Sequence, residues 1–248
     1  MDSQLTFVEL LVWLVPFLVG SAALAWLFRT AAIAVAPVAV AKGLRTAPLT
    51  ASFGLLVILI YIVVAIFAPL IAPFGEREVV GDQYLPWDET YILGTDNLGR
   101  DMFTRLVYAA RNTVGIAFLT TGLAFLLGAI FGLLAATVGG WLDQMLSRIV
   151  DVLMAIPALI FALLLLTIVG TSITNMILVI ALIDSTRVYR LARAVAMNIV
   201  VMDYIEAAKL RGEGLWRLIT REILPNASAP LVAEFGLRFC FVFLMISA

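Results

Sequence analysis

The feature that most limits this chain is the spacing of its charges. Leu10 to Phe28, Thr46 to Gly75, Asn112 to Leu142 and Val152 to Ile183 each contain no Asp, Glu, Lys or Arg. At ~1.5 Å of rise per residue, about 20 apolar residues cross the ~30 Å hydrocarbon layer of a bilayer. Only 13% of the 248 residues are charged and 63% are hydrophobic, against about 25% and 45–50% in soluble domains. So few charges cannot cover a water-facing surface. The predicted class is all-α, a polytopic transmembrane helical bundle with five or six crossings.

The remaining composition excludes more. Sixteen basic residues face 17 acidic ones, a net charge of −1, so nothing points to nucleic acid. The single cysteine, Cys240, allows no internal disulfide. Histidine is absent, which removes Ser-His and Cys-His nucleophile pairs and His-ligated metal sites. No metal site is expected. Asp2 and Glu9, not basic residues, precede the first apolar stretch, which predicts an uncleaved anchor rather than a signal peptide.

Leu10–Phe28 is read as a minimal span, with Pro16 a kink site. Thr46–Gly75 centres on a span closed by Pro69 and Pro73, and Asn112–Leu142 gives another. Gly115, Gly122, Gly128 and Gly132 in the latter suit close helix packing in lipid. Val152–Ile183 is too long for one crossing and breaks at Gly170-Thr171-Ser172. It is read as two spans, about Met145–Val169 and Ile173–Arg193, and a last apolar stretch begins near Pro230. In organisation this gives an extra apolar segment and basic linker over residues 1–50, a first core helix over 51–73, a loop over 74–112, and a core over 113–248 with a second loop at 194–229. Eleven basic residues fall in one set of loops and four in the other. The positive-inside rule therefore puts 194–229 in the cytoplasm and 76–111 outside.

The inner loop reads Asp203-Tyr204-Ile205-Glu206-Ala207-Ala208-Lys209-Leu210-Arg211-Gly212, and later Glu222-Ile223-Leu224-Pro225-Asn226. This spells a short helix, a glycine joint and a second amphipathic helix stopped at Pro225. Ala207 and Ala208 leave a low surface, and Gly212 permits φ > 0. Leu215, Trp216, Leu218, Ile219 and Ile223 share one face, with Arg217 and Arg221 opposite. Such a helix equally suits the surface of the inner leaflet. In the outer loop, Gly94-Thr95-Asp96 and Gly99-Arg100-Asp101 read as turns. Asp96 is the candidate N-cap, and Arg100, Asp101 and Arg105 are candidates for local ion pairs. Tyr84, Trp87 and Tyr91 read as interface-belt aromatics. Arg148 with Asp151, and Asp184 with Arg187, read as i, i+3 pairs that snorkel near helix ends.

These motifs carry a resemblance. Glu206-Ala207-Ala208, then Gly212 and Leu224-Pro225, resembles the EAA loop of importer-type ABC transporter permeases. Leu93 to Arg105 and Arg148 to Pro157 resemble the second (C-type) permease subunit of the oligopeptide/dipeptide/nickel import family. The likeness runs from Ser52 to Ala248. Relatives often have His where Glu222 stands and Gly where Ala109 stands. Their pattern continues past residue 248, so C-terminal truncation is expected. The segment Leu10–Phe28 is not explained by the resemblance.

The resemblance implies a permease in the bacterial cell inner membrane that carries peptides or a related small solute by alternating access. It implies a second homologous permease subunit, two cytoplasmic ATPase subunits and an extracytoplasmic solute-binding protein, besides membrane lipid. Tyr204, Glu206, Ala207, Ala208, Gly212 and Pro225 then belong to the ATPase-coupling joint, with Leu215 and Trp216 as its buried anchors. Gly94, Thr95, Asp96, Gly99, Arg100 and Asp101 form the outer-loop motif, a turn or a contact for the binding protein. The chain has no Gly-x-x-x-x-Gly-Lys-Ser/Thr run, so ATP is expected on the partners, with no cofactor and no catalysis here. A membrane-embedded enzyme or an insertion factor are the competing classes.

Overall fold

The structure is a computed structural model that describes residues 7–247. Its helices are α1 (Phe7–Val35), α2 (Val38–Thr46), α3 (Leu49–Ile71), α4 (Met102–Val138), α5 (Gly140–Met154), α6 (Ala158–Val169), α7 (Ile173–Val200), α8 (Asp203–Leu210), α9 (Leu215–Arg217) and α10 (Leu224–Ser247). A six-residue π-helical turn, Leu218–Ile223, joins α9 to α10. Among the described residues, four stretches are long and apolar enough to cross a membrane: Leu18–Val35, Leu49–Ile71, Met102–Val138 and Leu215–Ile246. The bent pair α5–α6 makes up to five, the low end of the expected number.

The chain divides into two compact units, Met1–Arg111 and Asn112–Ala248. In the first, α1 packs along α3 and α2 folds back on α1. The Arg29 guanidinium donates to the Arg45 carbonyl across that fold. Pro69 does not close α3, because it lies inside the helix, which ends two residues later at Ile71.

The second unit is organised around α7. Twelve of its residues are buried, from Val179 to Ile199. Asp184, Arg187 and Arg190 fall in its length, which fits a helix surrounded by protein better than one facing lipid. Gly128 and Gly132 let α4 approach it. A Cβ on Gly128 would sit 2.6 Å from both the Ser185 carbonyl oxygen and Val188 Cβ, and one on Gly132 would sit 2.7 Å from the Tyr189 carbonyl oxygen. Gly115 and Gly122 have open space instead, so two of the four expected glycines serve this crossing.

Three boundaries correct the sequence reading. The helix expected from Asn112 starts ten residues earlier, at Met102, so the loop is 72–101 rather than 74–112. The expected span Met145–Val169 is two helices bent by 90°. Pro157 causes the break, because it lacks an N–H and biases Ile156 away from helical angles. Finally, Pro225 does not stop a helix. The backbone runs through it into α10, and the π turn just before it removes the carbonyl crowding that a proline ring causes in a tight helix. The break at Gly170 is where expected, with Ser172 capping α7 by accepting from the Asn175 N–H.

Candidate functional site

The loop between α7 and α10 is built from the inside out. Ile205 and Ala208 of α8 are fully buried, and they join Leu133, Ala192, Ala196, Ile199, Leu218, Ile219, Ile223, Ala227 and Leu231 in one apolar core. That core ties α8 to α4, α7 and α10. Because side chains three apart share a helix face, the other face of α8 is turned away from the core. Tyr204, Glu206, Ala207, Lys209, Leu210 and Arg211 are exposed.

The end of α8 is a Schellman motif. The Gly212 N–H donates to the Lys209 carbonyl at 2.9 Å and the Glu213 N–H to the Ala208 carbonyl at 3.2 Å. Gly212 has φ +76°, which an L side chain adopts only at a cost. Glu213 then locks the turn. Its carboxylate accepts from Arg211 Nη2 at 2.8 Å and lies 3.8 Å from Arg217 Nε. Hydrogen bonding from Arg211 is the largest influence on Glu213 and holds its pKa below the ordinary value against the opposing effect of burial. Beyond the turn, Leu215 is 42% exposed and Trp216 63%.

Two expectations change here. Ala208 is not part of a low outer surface, because it packs inward and only Ala207 remains outside. The apolar residues after Gly212 also divide. Leu218, Ile219 and Ile223 are buried in the chain's own core, while Leu215 and Trp216 stay outside. The π turn shifts the helical register, so the five do not share one environment.

The outer loop is a compact knot. Asp96 is its hub. Its carboxylate accepts the Leu98 and Arg100 N–H groups at 2.8 and 2.9 Å. It also meets Arg100 Nη2 at 2.9 Å and Arg105 Nη1 at 2.6 Å. Burial pushes its pKa up, but the two backbone donors and then the Arg100 guanidinium outweigh burial and hold the carboxyl at about 2. Asp101, not Asp96, caps α4, accepting the Thr104 N–H at 2.7 Å. The expected ion pairing of Asp101 is therefore replaced by Asp96. Thr95 fixes the far strand of the loop, donating to the Asp82 carbonyl at 2.6 Å and accepting from the Leu85 N–H at 2.8 Å. Gly94 and Gly99 have φ of +74° and +73°, each with a backbone carbonyl where a Cβ would go. Tyr84 and Trp87 are exposed. Tyr91 is not a belt residue, because its hydroxyl donates to the Val80 carbonyl at 2.7 Å and its ring packs on Phe74.

The charged residues of the second unit pair across helices more than along them. No Arg148–Asp151 or Asp184–Arg187 ion pair exists among the described residues. Asp184 is buried in the middle of α7 and faces Arg238 of α10 at 3.7 Å, while Arg238 also meets Glu234 at 2.5 Å. Asp143 of α5 meets Arg193 of α7 through two contacts, Nη2 to Oδ2 being 2.6 Å. The i, i+4 spacing of Glu234 and Arg238 was readable in the sequence. The Asp143–Arg193 pair, fifty residues apart, had no local signal.

Comparison with known proteins fits this architecture. Residues 124–248 match the family described as binding-protein-dependent transport system inner membrane component, and residues 50–89 match the N-terminal TM domain of oligopeptide transport permease C. The dipeptide transport system permease protein DppC of Haemophilus influenzae is 37% identical over 191 residues, covering 74% of this chain and 65% of that protein. The protein of the same name from Alkalihalophilus pseudofirmus is 34% identical over 187 residues, covering 75% of this chain and 62% of that protein. The probable D,D-dipeptide transport system permease protein DdpC of Escherichia coli is 30% identical over 203 residues, covering 82% and 68%. The chain thus spans less than two thirds of the length of the first two of these relatives.

Proposed function

The chain belongs to the family of binding-protein-dependent transport system inner membrane components, and from that premise we propose that it is a permease subunit of an ATP-driven importer of peptides or a related small solute. It carries out no covalent chemistry. Two cytoplasmic ATPase subunits hydrolyse ATP and dock on α8 and α9, a second homologous permease completes the pathway, and an extracytoplasmic binding protein delivers the solute to the outer loop.

One observation carries this reading. α8 is fastened on its inner face by Ile205 and Ala208, yet Leu210 is 84% exposed and Trp216 63%. Large apolar side chains exposed beside a charged turn, Leu210 before the last apolar stretch and Trp216 in its first turn, mark a protein contact. Anchoring to α4, α7 and α10 means that a push on α8 moves the helices and not a loose loop. Small rigid-body shifts of this kind are how packed bundles change state. The exposed Tyr84 and Trp87, beside the Asp96 knot, offer the binding protein a firm surface.

The test is direct binding of ATPase subunits from a dipeptide importer to this chain in lipid nanodiscs. Leu210→Ser with Trp216→Ala is expected to weaken binding at least tenfold, in keeping with buried aromatic anchors in other interfaces. Binding that is undiminished would remove α8–α9 from the joint.

A further inference from the structure

The fold of α2 back onto α1 gathers charge of one sign. The Arg29 guanidinium of α1 donates to the Arg45 carbonyl at the end of α2, so it sits against the Arg45 backbone. Lys42 lies three residues before Arg45 on the same helix. That spacing puts the two on one face, with Cβ atoms about 5–6 Å apart. Arg29 is half-buried, and Lys42 and Arg45 are exposed.

The cluster has no counter-ion within its unit. None of the three residues has an ion pair among the described residues. No Asp or Glu stands between Glu9 and Glu76. Glu9 precedes Arg29 by 20 residues, about 30 Å at ~1.5 Å of rise per residue. Glu76 follows the far end of α3, beyond its 23 residues. The C-terminus of α2 answers only part of the charge, because a helix end carries about half a negative charge against three cations. Like charges this close repel within one Debye length of about 10 Å, so the cluster calls for an external anion.

Its surroundings say which anion. α3, long and apolar enough to cross a membrane, begins at Leu49, four residues after Arg45. Trp26 is exposed one turn before Arg29 on α1, and so are Leu24 and Leu27. A tryptophan beside basic residues at the end of an apolar helix marks the headgroup level of a bilayer. The family matches cover residues 50–89 and 124–248, so α1 and α2 lie outside both, and neither the α8–α9 joint nor the Asp96 knot draws on them.

We propose that Arg29, Lys42 and Arg45 bind the phosphate of an anionic phospholipid headgroup at the membrane boundary. The two guanidinium groups supply paired N–H donors for phosphate oxygens, and the Lys42 ammonium adds a point charge. The acyl chains lie along the exposed apolar residues of α1. The site depends on the chain being in a membrane and not on which solute it carries. A free phosphate ion presents the same oxygens, and the test separates the two sources.

The whole chain is extracted from nanodiscs of equal phosphatidylglycerol and phosphatidylethanolamine, and the lipids it retains are counted by native mass spectrometry. The parent is expected to hold phosphatidylglycerol at least tenfold in preference. Lys42→Gln and Arg45→Gln are each expected to weaken that preference about fivefold, the worth of one cation near an anionic surface, and the double variant about 25-fold. Neither side chain holds α2 on α1, so these variants keep the fold even if Arg29→Gln does not. Arg77→Gln removes the same charge from the loop after α3 and is expected to behave as the parent. Equal retention of the two lipids by the parent, an unchanged preference in the double variant, or an equal loss in Arg77→Gln overturns the assignment. So does displacement of the lipid by millimolar inorganic phosphate, which would mark a site for the free ion. ATPase binding measured on the same discs keeps the readings apart: lost lipid preference with retained docking supports the lipid site, and lost docking with unchanged lipid preference makes the cluster a protein contact and overturns it.

Discussion

Replacing Gly128 by Ala tests the packing on which the second unit depends. The added methyl would lie 2.6 Å from the Ser185 carbonyl oxygen, 2.6 Å from Val188 Cβ and 2.9 Å from the Tyr189 nitrogen. Real Cβ atoms do not come that close, and two of the three neighbours are backbone, which cannot rotate aside. The α4–α7 distance must open by several tenths of an ångström along a buried crossing. Overpacking of this kind costs about 1–3 kcal/mol. Ala is the better helix former by up to ~1 kcal/mol in water, a gain too small to cancel the clash. Gly132→Ala meets the Tyr189 carbonyl oxygen at 2.7 Å and Ala192 Cβ at 2.9 Å, so it should cost a similar amount. The double variant should cost less than the sum, because one opening of the crossing relieves both sites. Gly115→Ala and Gly122→Ala meet nothing within 4 Å and serve as controls, with no loss expected. Reversible unfolding in bicelles, followed by steric trapping, gives the five values. Equal stability of Gly128→Ala and Gly122→Ala would refute the close crossing.

Three further outcomes are expected. Asp96→Asn should loosen the outer loop, seen as faster amide exchange at Leu98 and Arg100. In the parent, the folded pKa of about 2 lies below the ordinary 3.8, so the carboxylate supports the loop fully above pH ~4 and the support fades as pH falls towards 2; exchange that is flat across this window would refute the hub. Asp143→Ala and Arg193→Met should each destabilise the α5–α7 contact, with a coupling of about 1–2 kcal/mol in a double-mutant cycle, and strictly additive values would show that the pair contributes nothing. Gly212→Val forces a β-branched side chain into φ +76°, a local strain of about 1–2 kcal/mol or more. In vesicles with all subunits it should leave the protein inserted and separate ATP hydrolysis from uptake, whereas normal uptake would refute the hinge.

What the sequence made legible follows from how local each signal is. Gly212 was readable because a Schellman turn needs only one residue in a left-handed conformation, and Gly after a Lys-Leu-Arg helix end announces it. The break at Gly170-Thr171-Ser172 was readable for the same reason. The two residues of the Glu-Ala-Ala run that look alike, Ala207 and Ala208, were not separable. Which one turns inward depends on where α4, α7 and α10 stand, and their placement is set by contacts as distant as Leu133 and Leu231. Charges failed similarly. An i, i+3 reading assigned Asp184 to Arg187 along one helix, but burial left Asp184 facing the next helix, where Arg238 could reach it.

Proline shows why punctuation signals need a register. Pro157 and Pro225 each follow a helical segment, yet one bends the chain by 90° and the other is absorbed. The difference lies in the preceding turn. Before Pro157, the last turn of α5 ends at Met154 and the next three residues leave the helix, so nothing supports continuation past the missing N–H. Before Pro225, the six residues Leu218–Ile223 adopt the wider π spacing, with Leu218, Ile219 and Ile223 buried in the core below. The widened turn clears the ring, and the buried face holds it there. The same turn rotates Leu215 and Trp216 out of the apolar face they would share in a regular helix. Straightening it, by removing the proline that the widened turn accommodates, should therefore change the joint and not the span. Pro225→Ala is expected to leave insertion and bundle stability within about 0.5 kcal/mol while weakening the binding of ATPase subunits, and unaltered binding would show that the exposed pair does not owe its position to the π turn.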